Sequence, residues 1–156
     1  MDKEMRRSEK AMTREESMEV LEKAEYGVLS TISTDQTPYG TPMNFVYQDG
    51  AIYFHCALTG HRLENLAANS SACLTVTDSV KLMPEKFNTQ YRSVIVFGTV
   101  QVVEDQKEKR KGITAILKKL SQDHLKAGED YINSAFEKLH VLRLDIEKIS
   151  GKATRG

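Results

Sequence analysis

Apolar and polar positions change their period several times along the chain, and each change marks an element. Thr13-Arg14-Glu15-Glu16 fits a helix-capping box, and Met18, Leu21, Ala24 and Glu25 follow at helical spacing, with Gly27 where such a helix would stop. The pattern then turns to strands over Val28–Ser33, Thr41–Tyr47 and Ala51–Cys56, separated by a TDQTPYG turn region and a Gln48-Asp49-Gly50 turn. Asp49-Gly50 between two such runs predicts a hairpin. A short helix near Arg62–Ala68 precedes a strand at Ala72–Thr77 and a longer loop through Met83-Pro84-Glu85. Tyr91–Val103 is the longest β pattern, interrupted by Gly98, where a bulge or bend would let a sheet curve.

Two further helices are expected. One covers about Gln106–Leu120, with Ile113, Ile116, Leu117 and Leu120 on one stripe, and a shorter one covers about Asp130–Lys138. The last strand, His140–Ile146, alternates apolar and polar residues before Ser150-Gly151-Lys152, which reads as a charged tail. Residues 1–12 are polar and are expected to be flexible or draped over a neighbour. This order predicts an α+β, mainly β, single domain over residues 1–156: a six-stranded, mostly antiparallel barrel decorated by helices.

Bulk composition narrows the function. Lys plus Arg and Asp plus Glu each number 22, so net charge is zero, which argues against broad attraction to nucleic acid or anionic membrane. No apolar run approaches the ~20 residues of a membrane span. The N-terminus lacks the apolar segment of a signal peptide, so a cytoplasmic protein is expected. Cys56 and Cys73 lie in separate apolar strands, which suits reduced thiols. Phosphate-loop, dinucleotide, zinc-protease and nucleophile-elbow motifs are absent. His55 and His61 are six residues apart with no Cys or carboxylate at metal spacing, so no metal site is expected.

One segment carries positive chemistry. In Ile52–Leu66 an apolar strand ends in Phe54-His55-Cys56, turns at Thr59-Gly60 and opens onto His61-Arg62 at the start of a helix. Free backbone N–H groups, the positive end of the helix dipole and the Arg62 fork together make a seat for a phosphate. Pro42 cannot donate to a β ladder, so its place in an apolar strand points to an edge or bulge beside a ligand.

Four segments in order extend this reading: Tyr26–Thr31, Pro38–Tyr47, Ile52–His55 with Gly60-His61-Arg62, and Tyr91–Gly98. Together they resemble the pyridoxamine 5'-phosphate oxidase-like, FMN-binding split-barrel superfamily, and most of all its Nim-type, 5-nitroimidazole resistance branch. The likeness spans roughly residues 6–152. It implies a homodimer holding FMN in the subunit interface. It also implies that Gly60, His61 and Arg62 bind the phosphate and that Thr41, Pro42, Met43 and Asn44 run along the flavin. Ser93 would supply a polar flavin contact from across the interface. His55 would lie beside the cofactor as a reactive or acceptor-contacting group. The implied activity is FMN-dependent reduction of a small aromatic acceptor such as a 5-nitroimidazole; the alternative is a non-catalytic flavin- or haem-binding module on the same barrel. The chain has no Trp and no Arg-His signature near its C-terminus, which argues against oxidation of vitamin B6.

Overall fold

Seven strands form one antiparallel sheet in the order β2-β1-β5-β6-β7-β4-β3. They are β1 (Tyr26–Ile32), β2 (Pro38–Asn44), β3 (Val46–Gln48), β4 (Ala51–Cys56), β5 (Ser71–Met83), β6 (Asn88–Val102) and β7 (His140–Thr154). Four helices accompany them: α1 (Arg14–Lys23), α2 (His61–Ala68), α3 (Gln106–Leu120) and α4 (Leu125–Ala135). The computed structural model describes residues 3–156. Met43 near one end of the sheet and Ile52 and Phe54 near the other pack into the same buried cluster, together with Leu29, Leu74, Val96 and Leu144. Elements so far apart in the ladder can share one core only if the sheet curls, as a split barrel does.

The seventh strand corrects the expected count of six. Thr41–Tyr47 is not one strand, because Phe45, fully buried, interrupts it. β2 pairs with β1 at one end of the sheet and β3 pairs with β4 at the other, so the chain crosses the open side of the barrel at Phe45. The carbonyl that leaves the ladder there finds another donor. Lys119 Nζ donates to Phe45 O at 3.1 Å and to Leu21 O at 3.2 Å, and lies 4.1 Å from the centre of the Phe45 ring. Burial pushes the Lys119 pKa down to about 8.

Other boundaries move for local reasons. α1 has the capping box expected at Thr13 and Glu16, but ends at Lys23. Gly27 is therefore no helix stop. It lies inside β1, where a Cβ would come within 2.8 Å of Thr75 O. The loop expected through Met83 is strand as far as Met83, closed by a single 3-10 turn at Pro84–Lys86. α4 starts five residues earlier than expected, and its Gly128 is there because Leu117 of α3 fills the space a side chain would take. The C-terminal Ser150-Gly151-Lys152 is no tail: it pairs with Ile95, Val94 and Ser93 of β6. At the other end, Ala11 bridges Lys152 and Met12 N donates to Gly151 O, so this part of the N-terminal segment is draped rather than frayed; residues 1 and 2 lie outside the described residues.

α3 and α4 cover the face of β4 and β7 opposite the barrel core, forming a second cluster around Tyr53, Ile113, Ile132 and Val141. Tyr53 donates to Glu108 Oε1 at 2.9 Å, and Arg143 Nη1 meets the same oxygen at 2.6 Å. Burial, with the Glu108 carboxylate beside it, pushes the Tyr53 pKa up to about 12. Among the described residues no helix is long and apolar enough to cross a membrane.

Candidate functional site: a cationic cleft at the start of α2

β4 ends at Cys56, and the chain turns through Thr59 and Gly60 into α2. Gly60 is the N-cap at φ +148°, a conformation that favours glycine, with nothing within 4 Å of where a Cβ would be. The N–H groups of the first helical turn have no intrahelical partner and open toward solvent. Tyr39, Cys56, Ala57, Thr59, Gly60 and His61 line a cleft of about 200 Å³ at this point, together with Arg62 and Leu63. No carboxylate is among them. The Cys56 pKa is raised by burial, with Arg62 pulling the other way, so the cleft holds a neutral thiol.

Arg62 is the centre of the site. Its Nη1 donates to Thr41 Oγ1 on β2 at 3.2 Å, whereas its Nε is buried with no hydrogen-bond partner. A buried N–H left unpaired costs free energy unless something arrives to accept it. The His61 ring packs against Tyr39 with ring centres 4.1 Å apart and planes tilted by 37°, and its Nε2 lies 3.1 Å from Ser33 Oγ.

The structure brings four of the expected residues together: Thr41, Gly60, His61 and Arg62. Pro42 follows on the exposed side of β2, which is an edge strand, as its missing N–H required. Met43 is buried in the barrel core, so a ligand at this edge meets its backbone rather than its side chain. Asn44 turns away, donating from Nδ2 to Glu25 O at 3.0 Å. Ser93 lies outside the cleft lining, in the middle of β6, with its hydroxyl toward Lys152 O. Its neighbour Arg92 is committed to Asp78, through Nε at 2.8 Å and Nη2 at 2.6 Å, and to Glu19.

His55 is separated from the cleft by strand parity. Phe54 and Cys56 pack toward the barrel core, while Tyr53 faces α3, so His55 shares the Tyr53 face. It lines a mainly apolar groove of about 900 Å³ with Ile116, Leu117 and Leu120 of α3 and Tyr131 of α4. Cys56 and Ala57 form a wall common to the groove and the cleft. Desolvation by the groove walls lowers the His55 pKa from its ordinary 6.5, although the side chain keeps an exposed edge. The unfolded chain therefore takes up a proton before the folded one does. The stability that neutral His55 contributes, kept small by solvent at its exposed edge, is present above pH 6.5 and is lost as pH falls from there toward the lowered value. His55→Gln should flatten the fall in melting temperature between pH 7.5 and the mildly acidic range; an unaltered slope would show that His55 titrates alike in both states.

The family model described as Pyridoxamine 5'-phosphate oxidase matches residues 13–153, and with them the cleft, the edge strand and all of the ladder but its last residue, Thr154. The chain belongs to the pyridoxamine 5'-phosphate oxidase-like family. Solved structures share the fold. A candidate 5-nitroimidazole antibiotic resistance protein from Bacteroides thetaiotaomicron superposes with a TM-score of 0.80 at 23% identity, covering 92% of this chain and 86% of that one. A conserved hypothetical protein from Mycobacterium tuberculosis gives 0.82 at 16% identity, covering 96% and 90%. A FAD-binding protein from Mesorhizobium loti gives 0.65 at 21% identity, covering 93% and 97%. No curated protein matches the sequence.

Three residues that shape the cleft do not stand out in the sequence as site residues: Ser33, Tyr39 and Asn65. Asn65 is 2% exposed, a polar side chain next to Leu66 on the buried side of α2. That placement was a signal, since a buried amide needs partners.

Proposed function

We propose that the protein is an FMN-binding oxidoreductase, active as a homodimer, that reduces a small aromatic acceptor such as a 5-nitroimidazole. The observation that carries this reading is Arg62, a cation fixed by Thr41 whose buried Nε has no acceptor at the mouth of a helix N-terminus. A phosphate ester supplies the missing acceptor oxygens. Thr41–Asn44 offer an edge-strand backbone alongside for a planar ring. Bound flavin would supply the electron transfer; the chain holds, orients and shields it. The FAD-binding and nitroimidazole-resistance descriptions of the fold neighbours are consistent with this chemistry.

A cleft of about 200 Å³ suits a phosphate but falls below the ~300–1,000 Å³ typical of whole-ligand pockets. The rings need a second wall, and the outer face of the sheet supports a second copy as its source. Pro42, Val28, Thr75 and Ile95 lie in register on that face, as do Ser30, Cys73 and Phe97 in the next row. Val28 is 38% exposed and Tyr26 63% exposed there. Ser93 shares the face of Ile95 and Phe97, and is proposed as a flavin contact from the partner. Ile95→Asp is expected to give folded monomers that no longer retain FMN. Sedimentation of the unaltered protein as a monomer with FMN bound would contradict the dimer.

His55 is proposed as the group that meets the acceptor. A neutral imidazole can hydrogen-bond a nitro oxygen, and its protonated form can deliver a proton to a reduced acceptor. The mainly apolar groove supports this by offering an aromatic ring apolar walls. The test is turnover of a 5-nitroimidazole by FMN-loaded, chemically reduced protein, with His55→Ala measured beside it. Lost turnover with FMN content and melting temperature unchanged supports the role. Stoichiometric flavin binding without turnover in the unaltered protein would leave a flavin-holding module instead.

A further inference from the structure

Four side chains behind the cleft form a hydrogen-bond chain that runs in one direction. Asn65 Nδ2 donates to Thr31 Oγ1 at 3.1 Å and to Ser33 Oγ at 3.3 Å, using both of its amide protons. Thr31, 2% exposed, passes its own proton to Tyr39 O at 3.3 Å. Ser33, 9% exposed, then has one remaining contact among the described residues, His61 Nε2 at 3.1 Å. A hydroxyl that accepts from an amide still carries a proton to place. The acceptor available to the Ser33 proton is the imidazole nitrogen.

We infer that Asn65 and Ser33 fix His61 as the tautomer protonated at Nδ1, with Nε2 accepting from Ser33, so that the cleft is presented with an N–H donor on a held ring. This is a positioning role for two residues outside the cleft. In the opposite tautomer Nε2–H would point at Ser33 Oγ, the Ser33 proton would lose its acceptor, and Nδ1, the nitrogen of this cleft-lining ring that Ser33 does not hold, would carry a lone pair. A lone pair repels an anion, whereas an N–H binds one. The tilted contact with Tyr39 limits rotation of the ring, so the tautomer and the orientation are set together. The importance of this donor for FMN rests on the proposed function; the tautomer itself does not.

The test separates the two. Nitrogen-15 NMR of ligand-free protein, with His61 assigned through His61→Gln, reads which ring nitrogen carries the proton near pH 8. Protonation at Nδ1, lost in Ser33→Ala and kept in Ser33→Thr, is the expected result. Protonation at Nε2 in the unaltered protein, or a tautomer indifferent to Ser33→Ala, overturns the inference. FMN titration of the same samples should show binding weakened about fivefold to tenfold in Ser33→Ala and restored in Ser33→Thr, with riboflavin binding unchanged because riboflavin lacks the phosphate. Unaltered protein that takes up no FMN, yet shows the Nδ1 proton, would defeat the flavin assignment and leave the positioning role standing. Equal FMN affinity in the unaltered and Ser33→Ala proteins would overturn the functional half of the inference.

Discussion

Arg62→Ala is expected to weaken FMN binding by about tenfold to a hundredfold, the equivalent of the ~1.5–3 kcal/mol that a hydrogen bond to a charged group contributes. The chain should still fold, because Arg62 contacts Thr41 at the sheet edge and belongs to neither buried hydrophobic cluster. Removing it also removes a buried donor that lacks a partner in the ligand-free protein, so the melting temperature should hold or rise slightly. Riboflavin provides the control: the variant should bind it as well as the unaltered protein does. Arg62→Lys should recover part of the loss at most, since an ammonium supplies charge without the planar fork. FMN affinity unchanged in Arg62→Ala would place the phosphate elsewhere.

Gly98→Val is expected to be strongly destabilising. A Cβ at this position would fall inside van der Waals contact of the Asp145 carbonyl oxygen, and Leu144 Cδ2 lies 3.1 Å away. The obstacle is backbone and cannot rotate aside. The register between β6 and β7 shifts at this point, Phe97 facing Lys148 while Gly98 faces Ile146, so the sheet bends where the side chain is missing. Urea unfolding should show a loss of at least about 3 kcal/mol, at the upper end for overpacking. Gly50→Ala makes the useful contrast. Nothing lies within 4 Å of a Cβ there, and φ is +82°, so only backbone strain of about 1 kcal/mol is expected. Equal losses in the two variants would mean that the β6–β7 contact yields more easily than its geometry implies.

What could be read from the chain was local chemistry with one outcome. Asp49-Gly50 demanded a tight hairpin, and both residues have positive φ, +50° and +82°, as a type I′ turn requires. Gly98 announced a bend inside an apolar run, and Pro42 an edge strand. Gly60-His61-Arg62 signalled a cation at a helix start, because turn, helix and charge are adjacent in sequence. The crossing at Phe45 was hidden, since β2 and β3 read as one apolar strand and nothing local says that they belong to opposite ends of a sheet. The β5 extension was hidden by Asp78-Ser79-Val80-Lys81, which reads as a turn but forms an irregularity in the ladder, with Ser79 at φ +53°. His55 lay next to the cleft in sequence, yet alternation along β4 turned it to the groove under α3 and α4. The Thr31–Ser33–Asn65–His61 chain joins residues up to 34 positions apart, and its one linear sign was an amide, Asn65, on the apolar side of α2.

The central claim, that Arg62 and the start of α2 hold a flavin phosphate, is tested most directly by the visible spectrum and extracted cofactor of the purified protein. The purified protein should be yellow with a flavin spectrum, releasing FMN on denaturation at one molecule per chain, or taking up FMN to that ratio when supplied. A haem spectrum, or protein that binds riboflavin as tightly as FMN, would contradict it.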